Sequence, residues 1–213
     1  NNNKPAVDHA TEQINKLKSL PNMLLYIDQV MNEGRLGVAE LKCREFLKKN
    51  PTHTYAMSQL SEIANRLGHF DDAELLLEKA VQFNPDDGEL RMKYALVLRK
   101  KQKFAKTMEQ VNILCDKYPD NLAYQAQKAS EIMQNGQHED AIDLFDDILS
   151  KNPHNFSTFT SKGHALKTLG KTDDAIESYQ SAYKIRPDHG EAFFSLANLK
   201  TYSFSNPELT NMK

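Results

Sequence analysis

Five prolines recur along this chain at a fixed interval of 34 residues. They are Pro51, Pro85, Pro119, Pro153 and Pro187, and they account for five of the eight prolines in the 213-residue sequence. A period of about 20 to 50 residues is typical of repeat architectures, in which each unit buries its apolar face against its neighbours. The interval therefore predicts a stack of similar units rather than one globular core.

Each unit also predicts two helices joined by a glycine turn. Glycines precede four of the prolines by 17 residues, at positions 34, 68, 136 and 170. In the fifth unit, the first apolar stripe is formed by Phe159, Gly163 and Leu166, and the second by Ala175, Ile176, Tyr179 and Ala182. Gly170 between them favours a left-handed helix end, and Thr172, Asp173 or Asp174 is expected to cap the second helix.

The 34-residue period with this aromatic, Gly, Ala and Pro pattern resembles the tetratricopeptide repeat (TPR). The resemblance implies an all-α fold, a right-handed superhelical stack of antiparallel helix pairs. The sequence departs from the TPR pattern in the third repeat, where Gln102 and Thr107 replace the usual glycine and alanine. We expect an N-terminal segment with a short helix over 1–19, repeats at 20–53, 54–87, 88–121, 122–155 and 156–189, and a capping helix and linker over 190–213.

The resemblance also implies a concave groove that binds an extended polypeptide, lined by the first helix of each repeat. Positions 2, 5, 9, 12 and 13 of each repeat usually face it in this family. Nine such residues are our candidates for partner binding: Tyr55, Glu62, Arg66, Met92, Arg99, Lys100, Met133, His164 and Lys167. Co-chaperone TPR domains clamp a carboxylate with paired cations and asparagines at set positions, and no two adjacent repeats here supply that set.

Charge is balanced over the whole chain, with 27 basic and 29 acidic residues, and no apolar run approaches about 20 residues. We therefore expect neither nucleic acid nor a membrane as a partner. We also expect a cytoplasmic location and a monomeric or weakly dimeric chain. Residues 91–106 nevertheless hold seven basic residues and no acid. They indicate either a patch for an acidic partner or, as we favour, cations at a helix C-terminus between acidic neighbouring repeats.

The residues that would carry catalysis form no recognisable constellation. There is no phosphate-binding glycine loop, nucleophile elbow or His-Glu-x-x-His motif, so we expect no enzyme, cofactor or metal site within this chain. Cys43 and Cys115 are expected to be reduced core thiols. His53, His154 and His189 follow repeat prolines and are interpreted as turn residues, while acidic pairs such as Asp71-Asp72 and Asp173-Asp174 are expected at helix starts.

A second resemblance covers residues 189–205, "HGEAFFSLANLKTYSFS". Ser195 to Lys200, Tyr202, Phe204 and Ser205 are similar to the junction of bacterial proteins that fuse TPRs to a sulfotransferase domain. This implies a downstream domain that uses 3′-phosphoadenosine-5′-phosphosulfate, with the repeats recruiting its acceptor. The alternative is a free-standing adaptor without an enzyme, in which Ala192, Phe193, Leu196, Ala197 and Leu199 simply cover the end of the stack.

Overall fold

The computed structural model describes Thr11, Lys18 and residues 20–199 and 202–205, and these are helical or irregular with no strand. Of the short helix expected before residue 20, the structure describes only Thr11 and Lys18, which are helical, and the helix expected after Pro207 lies outside the described residues. The predicted all-α class and the pairing of adjacent helices are confirmed.

Eleven helices are present in the described part of the chain. The first helices of successive repeats are α1 (Asn22–Asn32), α3 (Thr54–Arg66), α5 (Gly88–Lys100), α7 (Leu122–Gln134) and α9 (Phe156–Thr168), followed by α11 (Gly190–Ala197). The second helices are α2 (Leu36–Lys49), α4 (Phe70–Phe83), α6 (Phe104–Lys117), α8 (His138–Lys151) and α10 (Thr172–Ile185). The second helices begin 34 residues apart, as the proline spacing predicts.

The turn within each repeat has a left-handed residue where the sequence predicts one. Gly68 and Gly170 have φ values of 80° and 76°, and Gln102 adopts the same region with φ 58° despite its side chain. The predicted cap by Thr172, Asp173 or Asp174 is wrong. Helix α10 begins at Thr172 after Lys171, without a side-chain cap, because the turn closes through backbone bonds such as Lys171 N–H to Leu166 O at 3.0 Å.

Side chains do cap several first helices. The Asp87 carboxylate accepts from the N–H groups of Glu89 and Leu90 at 3.0 and 3.1 Å, and the Asn121 and Asn155 side chains accept in the same way. These bonds satisfy N–H groups that have no partner within the helix. They help to fix where these helices begin, and so which of their side chains lie on the same face as those of the neighbouring helix.

The helices form two compact units, the first ending at Lys103 and the second beginning at Phe104. In the first unit, α1 and α3 pack around Leu24, Ile27 and Ile63, and α4 packs on α5 through Leu77 and Leu98. In the second unit, the helices pack around two core clusters, which contain the buried rings of Phe145 and Tyr179.

The fifth repeat shows the close helix contact that its small residues predict. The ring of Tyr179 is fully buried against Gly163, where an added Cβ would lie 2.5 Å from Tyr179 Cε1. Ala175 and Ala182 are also fully buried on α10. Glycine is therefore required at 163 by the space available, not by backbone conformation.

Helix α11 covers the end of the second unit. Ala192, Phe193, Leu196 and Leu199 are buried, and the Phe193 ring stacks on Tyr183 with 4.7 Å between centroids. Ala197, which we expected in this contact, is exposed because it is the last residue of the helix and lies off the buried face. The remaining predicted capping residues are confirmed.

Candidate functional site

A groove runs across the first helices of repeats 1 to 3, entirely within the first unit. The larger of its two spaces, the Leu96 pocket, has a volume of about 400 Å³ and lies between α3 and α5. It is lined by Ser61, Glu62 and Asn65 of α3, Leu77 of α4, and Lys93, Leu96, Val97, Arg99 and Lys100 of α5.

The walls of the Leu96 pocket are apolar and its rim is charged. Leu77 and Val97 are buried core residues, whereas the Leu96 side chain is 40% exposed and open to a ligand. On the rim, Lys100 Nζ donates to Asn65 Oδ1 at 2.9 Å and lies 5.8 Å from the centre of the Phe70 ring. These contacts hold the Lys100 ammonium in place across two helices before any partner binds.

A second space, the Asp28 pocket, adjoins the first and has a volume of about 270 Å³. Its lining includes Asp28 of α1, Tyr55, Gln59 and Arg66 of α3, and Glu89 of α5, and it shares Glu62 and Lys93 with the Leu96 pocket. The two spaces together extend across all three first helices.

The Asp28 carboxylate is fixed by neutral donors from the next repeat. Tyr55 donates its phenolic O–H to Oδ2 at 2.7 Å, and Gln59 donates from Nε2 to Oδ1 at 2.5 Å. Burial of the Tyr55 phenol, with its hydrogen bond to this carboxylate, raises the pKa of Tyr55 well above its usual range. The phenol therefore stays protonated as a donor at any physiological pH.

The other charges of the Asp28 pocket occur in pairs. Arg66 binds Glu62 at 2.8 Å and donates to the Met31 carbonyl at 3.3 Å, which joins repeats 1 and 2. Lys93 binds Glu89 at 3.0 Å and donates to Ser58 Oγ at 3.1 Å, which joins repeats 2 and 3. The polar surface of the groove is thus ordered by bonds between repeats.

Five of the nine candidate residues come together in this groove. Tyr55, Glu62 and Arg66 line the Asp28 pocket, and Arg99 and Lys100 line the Leu96 pocket. Met92 is half-buried on α5 and lines neither space.

The other three candidates lie in the second unit. Met133 packs against a core cluster, and Lys167 is exposed near the end of α9. His164 bonds the Tyr179 hydroxyl through Nδ1 at 2.9 Å and faces Glu191 through Nε2 at 3.3 Å. Whether these residues bind a partner stays a prediction.

Several residues that line the two pockets stand outside positions 2, 5, 9, 12 and 13 of their repeats, from which the candidates were chosen. Gln59 and Lys93 are the sixth residues of their repeats, and Ser61 and Val97 stand at the eighth and tenth positions. Helical periodicity was the one signal that could have found these residues. The sixth position is next to the fifth, and the tenth lies four residues, about one helical turn, after the sixth. A rule that took a wider face of the first helix would therefore have included them.

Two lysines of the basic run over 91–106 pair with acidic residues of the preceding repeat, which agrees in part with the interpretation that we favoured. Lys101 bridges Asp71 and Glu74, and Lys103 Nζ lies 2.6 Å from Glu74 Oε1. Burial by itself would raise the pKa of Glu74, but hydrogen bonds from the two lysines outweigh it and lower that pKa. Three other cations of this run, Lys93, Arg99 and Lys100, line the groove.

The cysteines and histidines serve packing and turns. Neither cysteine forms a disulfide, and Cys43 is fully buried, with a pKa raised to about 12 by burial. Cys115 is only half-buried, so its assignment as a core thiol is corrected: its position on α6 is at the edge of the buried face. His53 and His189 directly precede α3 and α11, which confirms their position in turns.

Metal-binding clusters and membrane-spanning helices are both absent from the described residues. They contain no group of three or more His, Cys, Asp or Glu side chains placed to hold a metal ion. In the same part of the chain, no helix combines the length and apolar character needed to cross a bilayer.

Family models match most of the repeat region. The model described as "Psidin, N-terminal TPR repeats region" matches residues 94–213, and a tetratricopeptide repeat model matches residues 59–121. The chain belongs to the TPR family. The TPR resemblance inferred from the prolines is thereby confirmed, while no finding shows the sulfotransferase junction.

Solved TPR structures share the fold at low sequence identity. YrrB, described as "a TPR protein with an unusual peptide-binding site", superposes with a TM-score of 0.64 at 17% identity, covering 87% of this chain and 96% of its own. MamA from Desulfovibrio magneticus RS-1 superposes with a TM-score of 0.69 at 12% identity, covering 78% and 94%.

A curated relative is human protein O-mannosyl-transferase TMTC1, 22% identical over 148 residues. The match takes in 68% of this TPR chain but spans only 17% of the length of TMTC1.

Proposed function

We propose that this TPR chain is a non-catalytic interaction module that holds an extended segment of a partner protein across the first helices of repeats 1 to 3. The Leu96 pocket carries the proposal, because its apolar walls and charged rim suit one anchoring side chain of a peptide. YrrB, which shares the fold, is described as having a peptide-binding site, and this supports the same use of the groove here.

Selection of peptides from a displayed random library on the purified chain tests this function. We expect binders whose affinity falls about tenfold or more in Leu96→Asp, since burying one aliphatic side chain contributes about 1.5–3 kcal/mol. Leu75→Asp is the matched control, because Leu75 is 51% exposed on α4 and lines neither pocket.

Equal loss of affinity in both variants, or none in either, would place the binding surface elsewhere. Melting curves of the two variants must match that of the wild type for the comparison to stand. Alanine at Arg66, Arg99 and Lys100 is a second test: weaker peptide binding with nearly unchanged melting indicates recognition, whereas a large loss of stability indicates a structural role.

We further propose that the native polypeptide continues into a bacterial sulfotransferase domain, for which these repeats recruit the acceptor. Support comes from the resemblance of residues 189–205 and from a relative, TMTC1, that is a much longer transferase. The cofactor 3′-phosphoadenosine-5′-phosphosulfate would bind in that further domain. The test is sulfuryl transfer by the full-length gene product to protein or glycan acceptors.

Absence of any such transfer would favour the adaptor alternative, in which the same residues serve packing. One observation favours this alternative: Tyr202 accepts a hydrogen bond from Gln180 Nε2 at 3.0 Å, and Phe204 packs edge-on against Tyr202. We also propose a cytoplasmic location and a monomeric or weakly dimeric state. Fractionation of cells and light scattering of the purified chain are the corresponding measurements.

A further inference from the structure

The Asp28 pocket carries an uncompensated negative charge. Its other acids, Glu62 and Glu89, are each paired with a cation of the same pocket, Arg66 and Lys93. Within the described residues, Asp28 is held by the neutral donors Tyr55 and Gln59 and has no cationic partner. A half-buried carboxylate of this kind forms its strongest hydrogen bonds with a Lys or Arg side chain.

The Leu96 pocket carries the opposite excess. Lys93, Arg99 and Lys100 line it. Lys93 is paired with Glu89, and the lining carboxylate of Glu62 with Arg66, whereas Lys100 donates to the neutral amide oxygen of Asn65 and carries the excess. Its apolar walls accept an aliphatic or aromatic side chain, and the cations on its rim suit an acidic neighbour of that side chain. The groove is therefore negative at repeat 1 and positive at repeat 3.

The helices set the spacing between these two ends. Asp28 lies on α1 and Leu96 on α5, with α3 between them. Packed helices lie about 8–10 Å apart, so two such steps span about 16–20 Å. Since an extended chain advances about 3.3 Å per residue, this distance corresponds to about five or six residues of bound peptide.

We infer that the groove recognises a segment with a basic residue at one end and an adjoining apolar-acidic pair about five residues away. The inference rests on the proposed function and specifies the chemistry of its partner. The basic side chain binds the Asp28 carboxylate, the apolar side chain enters the Leu96 pocket, and the acidic one meets Arg99 and Lys100.

Synthetic fluorescent peptides test this pattern. On a Gly-Ser background, one peptide carries Lys and a Leu-Glu pair separated by about five residues, and its control exchanges the Lys and the Glu. Both chain directions are included, because the groove does not fix the polarity of the segment. We expect the peptide with the inferred order to bind at least about tenfold more tightly at low salt, and the difference to shrink as salt screens the charges.

Paired substitutions locate each charge. Replacing the peptide Lys by Gln should weaken binding to the wild-type chain but have no effect on Asp28→Asn, since the two charges would then no longer interact. Replacing the peptide Glu by Gln should likewise weaken binding to the wild-type chain and have no effect on binding to Lys100→Gln. Because the comparison of exchanged peptides uses the wild-type chain, it holds even if Asp28→Asn is poorly folded.

Three results are distinguishable. Tighter binding of the inferred order, with coupling to Asp28, supports the inference. Equal binding of both orders that Leu96→Asp abolishes overturns the charge pattern and leaves groove binding intact. Binding that is absent for both orders, or that is indifferent to Leu96→Asp, overturns the proposed function together with the inference.

Discussion

Gly163 lies at a helix contact that leaves no room for a side chain. Because an added Cβ would lie 2.5 Å from Tyr179 Cε1, Gly163→Ala should lower the free energy of unfolding by about 1–3 kcal/mol. Gly37→Ala is the control: it adds the same methyl group to a helix where nothing lies within 4 Å, and should be neutral or stabilising by about 0.5–1 kcal/mol. Urea denaturation of both variants measures the difference, and equal effects would contradict it.

Gln102 shows where the sequence pattern and the backbone disagree. It holds the left-handed turn with φ 58°, a conformation that glycine adopts without strain. We expect Gln102→Gly to leave stability unchanged or raise it by up to about 1 kcal/mol, and Gly68→Ala to lower it by about 1 kcal/mol. Thermal unfolding measures both, and a marked loss in Gln102→Gly would mean that the glutamine side chain stabilises the turn.

At this scale the sequence predicted the conformations better than the contacts. The glycine register located the turns, and even Gln102 obeys it, because five backbones with the same hydrogen bonds must turn in the same way. Capping at Thr172 could not be predicted correctly, since glycine turns of this kind close through backbone bonds and leave no role for a side-chain oxygen.

Between elements, the ion pairs that link α4 to the turn after α5 should make stability depend on pH. The lysines lower the pKa of Glu74 in the folded state, so its contribution is present above the unfolded pKa of about 4.3 and is lost as pH falls through the folded value. Glu74→Gln should therefore be less stable than wild type near neutral pH, with the difference shrinking below about pH 4.

Urea unfolding of the two proteins across this pH range is the measurement. Asp72→Asn is the matched control, since Asp72 lies in the first turn of the same helix and its carboxylate is not among those that contact Lys101 or Lys103. A difference between Glu74→Gln and wild type that does not vary with pH would contradict the ion-pair account.

Helix α11 offers two adjacent phenylalanines with opposite environments. Phe193 is buried and stacked on Tyr183, whereas Phe194 is 69% exposed. Phe193→Ala should destabilise the second unit by about 3 kcal/mol, and Phe194→Ala by no more than about 0.5 kcal/mol. Thermal unfolding followed by circular dichroism compares them, and similar midpoints for the two variants would show that α11 does not cap the stack.

Across the whole molecule, a single period predicted the helices, their order and their pairing. The period could not predict the groove to the same degree. It selects residues by their position within a repeat, whereas the lining of a pocket depends on side-chain contacts between repeats. Lys93 is the clearest case: its bonds to Glu89 and Ser58 place it in both pockets, although its register position excluded it.

The central claim is that a partner segment lies across the first helices of repeats 1 to 3. Its most direct test is a titration of the isotope-labelled chain with a selected binding peptide, followed through backbone amide chemical shifts. The account predicts the largest changes at Asp28, Asn65, Leu96 and Lys100. Changes confined to the second unit, beyond Phe104, would contradict it.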